Sequence, residues 1–258
     1  MRIVFLGCTQ FSEAILQHLI EIGAEIVGIC SIPKSFKISY SSEEVVNYNY
    51  ADLRPYSEQL GVPYFLVNSQ SGCRMSDYAD SLKKLNPDVM LVMGWYYMVN
   101  KSLRSVARLG AWGIHASLLP KYAGGAPLVW AMIEGQHETG VTLFRFKDGV
   151  DNGDIIAQKR IVIEEHDYIK DVYEKATQAS KETLTQVLNA ESVNFVPQDE
   201  DKIEIYPQRS PKDGEIDWDQ SAKEIYDFIR AQSEPYPGAW TTIKGKKITI
   251  WKATIEEI

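Results

Sequence analysis

Apolar positions along this chain follow two alternating rhythms, short continuous runs and stretches spaced by three or four residues. Residues 2–6, 25–31, 63–67, 88–94, 111–116, 139–146 and 155–163 read as strands, and residues 11–22, 52–60, 76–85 and 167–189 as helices. Within 11–22, Ile15, Leu19 and Ile22 share one helical face, and Ser12 is the expected cap. The run DVMLVMG at 88–94 is apolar almost throughout, as a strand covered on both faces requires. Strand and helix in alternation predict an α/β fold, a Rossmann-like, mostly parallel twisted sheet with helices on both faces. Ligands in such sheets sit beyond the carboxyl ends of the strands. Gly7, Gly94 and His115 fall at such ends.

The rhythm changes near 197–209, where Gln198-Asp199-Glu200-Asp201 reads as a solvated acidic link. A turn at Lys212-Asp213-Gly214, a helix over 221–232, the run Pro235-Tyr236-Pro237-Gly238 and two strands at 241–243 and 246–252 follow, the strands joined at Lys244-Gly245. The expected organisation is a catalytic domain over 1–196 and a small C-terminal α+β module, a truncated OB-like unit, over 197–258. The connection at 33–50 is long for a strand-to-helix loop and carries Phe36, Tyr40, Tyr48 and Tyr50. These rings either stack on a flat ligand or pack against the domain.

Composition narrows the function. The net charge is −8 over 258 residues, which argues against a nucleic-acid partner, because that surface needs clustered Lys and Arg. Lys244, Lys246 and Lys247 form a small basic group that reads as a solvated hairpin turn. Cys8, Cys30 and Cys73 show neither disulfide nor metal spacing, and Cys8 and Cys30 near strand ends read as small buried thiols. No metal site is expected. The opening MRIVFLG reads as a strand rather than a signal peptide, and no apolar run approaches the ~20 residues that span a bilayer. A cytoplasmic location with no membrane partner is expected.

Gly7-Cys8-Thr9 follows the first strand but lacks the Gly-x-Gly-x-x-Gly pattern, since Thr9 and Ser12 would crowd a pyrophosphate. The acid expected after the second strand of a dinucleotide site is also missing, because the chain there reads Ile32-Pro33-Lys34. An NAD-dependent oxidoreductase is therefore the weaker alternative. The segment IHASLLPKYAGGAP at 114–127 is richer in chemistry. It sets His115 at a strand end before a loop stiffened by Pro120, and Gly124-Gly125 opens a helix over 126–133 whose free N–H groups suit an anion. Asp151-Asn152-Gly153-Asp154 reads as a hairpin turn that returns an acid to the imidazole, with Asp154 capping backbone amides. A histidine oriented by an acid is equipment for moving a proton in acyl transfer. His18, His137 and His166 read as surface groups.

These segments resemble the folate-dependent formyltransferases, whose pattern is Asn-x-His-x-Ser-Leu-Leu-Pro, then Tyr-x-Gly, then Asp-x-Gly-Asp. The resemblance covers most of the chain, and residues 209–217 and 235–240 (PYPGAW) are similar to the C-terminal module of methionyl-tRNA and aminosugar formyltransferases. Glycinamide ribonucleotide formyltransferases lack that module. The resemblance implies 10-formyltetrahydrofolate as formyl donor and a primary amine as acceptor. It implies that His115 takes the proton of the attacking amine or stabilises the tetrahedral intermediate, while Asp151 holds and polarises it. Met93, Gly94, Trp95, Tyr96 and Tyr97, with Gly149, Val150 and Gly153, would flank the pterin. The chain departs from the pattern at Gly113, where the family has Asn. Losing an oxyanion donor costs about 100- to 1000-fold in rate, and Gly113 is expected to leave room for water or a neighbouring group.

A Tyr-, Ser- and Glu-rich loop and a negative charge argue against tRNA as acceptor, and the short tail resembles the module of nucleotide-linked aminosugar formyltransferases, a resemblance that implies a UDP- or dTDP-linked aminosugar, as used for surface polysaccharide. Ser117, Lys121, Tyr122, Gly124, Gly125, Arg209, Tyr236 and Trp240 are the acceptor-binding candidates, with core packing as the other reading of Trp240. A homodimer through the tail hairpin is expected. Methionyl-tRNA formylation and an impaired folate- or nucleotide-binding relative remain the alternatives.

Overall fold

The computed structural model describes residues 1–38 and 43–256, so Tyr40 lies outside the described residues. The central sheet contains β1 (Arg2–Leu6), β2 (Glu25–Ser31), β5 (Tyr64–Leu66), β6 (Val89–Val92), β7 (Ala111–His115), β9 (Glu138–Arg145) and β10 (Ile155–Val162). The intervening strands β3 (Ser35–Phe36) and β4 (Val45–Val46) pair antiparallel, and β8 (Ala123–Gly124) lies in the loop after β7. Strand order is β10-β9-β7-β6-β1-β2-β5. The pairs among β5, β2, β1, β6 and β7 are parallel, and β9 and β10 continue the sheet antiparallel. The order reverses direction at β1, so the crevice for a ligand opens beyond the ends of β1 and β6.

Alternation along β1 builds two apolar layers. Ile3 and Phe5 face the helices α1 (Gln10–Glu21) and α6 (Ile169–Leu188), packing with Ile15, Leu19, Leu184 and Trp112. Val4 and Leu6 point the other way, to Leu82 of α3 (Ala79–Lys84) and Leu103 of α4 (Lys101–Arg104). Each such fully buried aliphatic or aromatic side chain contributes about 1.5–3 kcal/mol by leaving water. The helix α2 (Arg54–Leu60) begins later than the pattern suggests, because the Asp52 carboxylate accepts the Arg54 N–H and Pro55 opens the helix.

The turn after β1 corrects one expectation. Thr9, not Ser12, caps α1, and the Ser12 hydroxyl returns to the Cys8 and Thr9 N–H groups while donating to the Met93 carbonyl at 2.5 Å. This cross-link ties the end of β1 to the end of β6. It also fills the turn, since a Cβ at Gly7 would stand 2.7 Å from Ser12 Oγ and 2.8 Å from the Met93 carbonyl oxygen.

After α6 the chain is not simply a solvated link. Strand β11 (Ile205–Tyr206) pairs parallel with β8, docking the segment onto the loop that follows β7. Beyond it, α7 (Ala222–Ala231) is capped by Ser221 with Glu224 in a capping box, and β12 (Ala239–Ile243) and β13 (Lys246–Ile250) form an antiparallel hairpin. Lys244 and Gly245 both have positive φ, 48° and 75°, which suits a two-residue hairpin turn. Helix α7 packs on α5 (Pro127–Ile133), so the small module sits against the His115 side of the sheet.

Candidate active site

His115 is the last residue of β7, paired with Thr142 of β9, and its side chain is 10 % exposed. The loop after it is held by its own Ser117 and by polar side chains of β9 and β10. Ser117 Oγ donates to the Lys121 carbonyl at 2.6 Å, Thr142 Oγ1 donates to the Ser117 carbonyl at 2.7 Å, and Gln158 Nε2 donates to the Leu119 carbonyl at 2.8 Å. Tyr122 then adopts φ 56°, a left-handed conformation uncommon for a residue with a Cβ. That turn aims its carbonyl oxygen at His115 Nε2, 2.7 Å away.

The other ring nitrogen, Nδ1, lies 3.5 Å from Asp151 Oδ2. Asp151 also has a left-handed backbone, φ 47°, and the same oxygen accepts the Gly124 N–H at 2.8 Å. The turn carrying Asp151 is fixed from the tail side, where Gln198 Nε2 donates to the carbonyls of Asp151 and Gly153 at 2.7 and 2.6 Å. Proton placement follows from these partners. A carbonyl oxygen only accepts, so Nε2 carries a hydrogen, and Nδ1 is the nitrogen that takes or releases the second proton beside a carboxylate.

A cleft of about 540 Å³ opens at this ring. Its walls come from the sheet end (Gly94, Tyr96, His115), from Gly124 and the start of α5, and from the tail (Arg209, Tyr236). Tyr173, Gln208 and Gln232 also line it, and the sequence pattern had singled out none of them. None of the described residues lining it is an Asp or Glu, and Arg209 brings the one guanidinium. The Arg209 Nη2 donates to the Asp213 carbonyl and to Gln232 Oε1, at 2.5 and 3.0 Å, and the guanidinium lies over the Trp130 ring at 4.7 Å. Burial pulls its pKa down from the ordinary value, but an arginine stays cationic at neutral pH. Tyr173 and Tyr236 meet across the cleft with their hydroxyls 2.5 Å apart, and burial pushes both phenols up.

Several sequence-selected residues stand elsewhere. Met93 is buried, and its carbonyl is taken by Ser12. Trp95 and Tyr97 meet edge to face at 6.3 Å, Tyr97 also meets Phe36, and Tyr96 packs on Phe36 at 5.0 Å, so much of this aromatic group packs inward. Gly149 and Val150 are exposed on the β9–β10 loop, and a Cβ at Gly153 would overlap the Arg145 carbonyl. Ser117 is fully buried, and Lys121 is exposed away from the cleft lining. Trp240 donates from Nε1 to the Pro211 carbonyl at 3.0 Å under Lys247, which is packing within the module.

Three expectations are corrected outright. The Gly124 and Gly125 N–H groups are not free for an anion, because they are spent on Asp151 Oδ2 and on the Tyr206 carbonyl. Asp154 pairs with Arg145 rather than capping amides. Gly113 leaves no room for water: a Cβ there would stand 2.6 Å from Phe146 Cζ and closer still to Cε1. The space belongs to an aromatic ring without a hydrogen to donate.

Thiol chemistry finds little footing. The Cys8 thiol is fully buried and pushed up to about 12 by burial, which leaves little thiolate for nucleophilic attack. Among the described residues there is no group of three or more His, Cys, Asp or Glu side chains able to hold a metal, and no helix long and apolar enough to cross a membrane.

The formyl transferase family matches residues 1–188, and the formyl transferase C-terminal domain matches residues 209–258. A bifunctional polymyxin resistance protein of Wigglesworthia glossinidia brevipalpis is 32% identical over 99% of this chain, which spans 38% of that relative's length. A methionyl-tRNA formyltransferase of Caldanaerobacter subterraneus subsp. tengcongensis is 31% identical over 100% of this chain and 82% of its own length. Among solved structures, an N-formyltransferase from Helicobacter canadensis, in complex with folinic acid and dTDP-3-aminofucose, shares the fold with a TM-score of 0.67 at 16% identity, over 95% of this chain and 85% of that one. With its sheet, its tail module and both family segments in place, this chain belongs to the formyl transferase family.

Proposed function

We propose that the chain moves a formyl group from 10-formyltetrahydrofolate to the primary amine of a nucleotide-linked aminosugar, with His115 as the proton carrier and Asp151 as its counter-ion. The observation that carries this reading is the cleft itself. It is a bounded pocket, closed on one side by the tail, with an imidazole–carboxylate pair adjoining one wall and, among the described lining residues, a single guanidinium and no carboxylate. A small anionic ligand suits that lining, and Arg209 offers a cation to a diphosphate. The ligands bound in the Helicobacter canadensis relative support the same pairing of folate and dTDP-sugar.

The donor supplies an activated formyl carbonyl and a nitrogen leaving group. The aromatic and backbone surface near Gly94 and Tyr96 fits a flat ring. The chain's own work is proton movement. The acceptor amine loses one proton as it forms the new C–N bond, and His115 Nδ1 receives it. Asp151 stabilises the imidazolium so made, and the Tyr122 carbonyl keeps the ring from turning away. The same proton then returns to the departing donor nitrogen, so that one amide and one tetrahydrofolate leave.

The division into a catalytic domain over 1–196 and a tail module over 197–258 belongs to this proposal, as does a homodimer through the hairpin, where Ile243 and Ile248 are exposed. The second reading, methionyl-tRNA as acceptor, is favoured by the 31% identical relative. Incubation of the protein and the folate donor with a panel of aminosugar nucleotides, and separately with methionyl-tRNA, distinguishes them by mass spectrometry. One formyl in place of one hydrogen on a sugar nucleotide is expected, and its appearance on methionyl-tRNA alone would reverse the choice.

A further inference from the structure

The hold on His115 extends one step further than the ring's own partners. Tyr122, whose carbonyl takes the Nε2 hydrogen, has its phenol 2.6 Å from Glu134 Oε2, to which it donates. The second oxygen of the same carboxylate accepts from Tyr206 at 3.0 Å. The two phenol rings lie 4.8 Å apart, tilted by 34°, and Trp130 closes on Tyr206 at 5.6 Å. The backbone repeats the link, because β8 pairs with β11 immediately beyond Tyr122 and Gly125 donates to the Tyr206 carbonyl at 2.9 Å.

Glu134 is an odd place for a carboxylate unless it has this task. It is the cap residue at the carboxyl end of α5, where the backbone carbonyls disfavour negative charge. Its side chain is oriented instead by two phenols from two different segments. The residue it grips is one whose backbone is itself uncomfortable, at φ 56°. A left-handed tyrosine released at its side chain would relax towards the ordinary region, and relaxation would swing the carbonyl from His115 Nε2.

We propose that Glu134 is a positioning residue for the proton carrier: by clamping Tyr122 against Tyr206 it fixes the carbonyl that sets the tautomer and orientation of His115. Glu134 does not touch the reacting atoms. The proposal rests on the reading of His115 as the group that moves the proton, and its mechanical half is testable without any substrate. Both phenols are protonated donors at neutral pH, and burial and the Glu134 carboxylate hold them further above their ordinary values.

The test uses Glu134→Ala, Glu134→Gln, Tyr122→Phe and the double variant Glu134→Ala/Tyr122→Phe in the intact chain. Nitrogen-15 spectra of labelled histidine report which nitrogen of His115 carries hydrogen. Wild type should show a protonated Nε2, and Glu134→Ala should give a mixture of tautomers, with Glu134→Gln in between because its amide oxygen still accepts one phenol. In steady-state assays Glu134→Ala and Tyr122→Phe should each lower kcat about ten- to hundredfold, with KM for donor and acceptor held within about twofold. The double variant should be no worse than either single one. A His115 spectrum identical to wild type in Glu134→Ala and in Tyr122→Phe overturns the proposal, as does additive loss in the double variant. Should Glu134→Ala not fold, Tyr122→Phe with Glu134→Gln carries the same comparison. If the tautomer shifts but kcat does not, the positioning of the ring has no catalytic consequence, and the proposal is again overturned.

Discussion

Gly124 gives its backbone N–H to Asp151 Oδ2 at 2.8 Å, the same oxygen that faces the His115 ring. The loop after β7 therefore secures the acid as well as the imidazole, and the two arrive with matched orientation from distant parts of the chain. Asp151→Asn keeps the shape and removes the charge that pairs with the imidazolium. A fall in kcat of about 100- to 10,000-fold is expected, from the general acid–base contribution of the pair. Rapid-quench single-turnover kinetics check it, with a melting curve to show that the fold survives.

Arg209 stands over Trp130 and presents the cation of the cleft. Replacing it by Ala should weaken binding of a nucleoside diphosphate sugar by about ten- to hundredfold, the value of a charge-assisted hydrogen bond of about 1.5–3 kcal/mol. Affinity for the folate donor should stay near wild type. Isothermal titration with each ligand separately reads both numbers, and equal losses would remove Arg209 from the acceptor side.

Phe146 occupies the space in front of Gly113. Gly113→Asn alone should therefore overpack the end of β7 and destabilise the protein by about 1–3 kcal/mol. Adding Phe146→Ala should recover much of that loss by opening the space. Urea denaturation of the single and double variants is the measurement, and a neutral Gly113→Asn would mean that the ring yields freely.

Alkaline stability carries a signature of the Glu134 clamp. Burial, then the hydrogen bond to Glu134, pushes the Tyr206 phenol up to about 12, against about 10 in an unfolded chain. A group with a raised folded pKa contributes fully below the unfolded value and loses its contribution as pH climbs through the folded one. Stability should thus decline between about pH 10 and about pH 12, and Tyr206→Phe should flatten that decline. Thermal melts across this range, with ultraviolet titration of the phenols, test the direction.

The pairing of His115 with Asp151 was legible because each lies at a position that topology fixes. One ends an apolar parallel strand, and the other sits on the turn of the adjoining antiparallel pair. The alternation of Ile3 and Phe5 against Val4 and Leu6 likewise dictates the two layers without further information. What escaped has a common physical cause. Tyr122 acts through a carbonyl and a left-handed φ, and a main-chain atom leaves no mark in residue identity. Gln198 reads as part of an acidic link, yet its amide spans to Asp151 and Gly153 only after the tail has docked. The Gly124 and Gly125 amides look free in sequence because their acceptors, Asp151 and Tyr206, come from remote segments. Ser12 and Thr9 are both good capping residues, and the choice between them depends on Met93, far along the chain.

In the proposed reaction the His115 imidazole carries the proton for formyl transfer to a sugar-borne amine. Single-turnover transfer from the folate donor to a reactive aminosugar nucleotide, compared between wild type and His115→Asn with both ligands shown to bind, tests it most directly. Formylation of the sugar amine by the wild type is expected, with nearly all of it lost in the variant and binding preserved. Formylation at the wild-type rate by His115→Asn would contradict it.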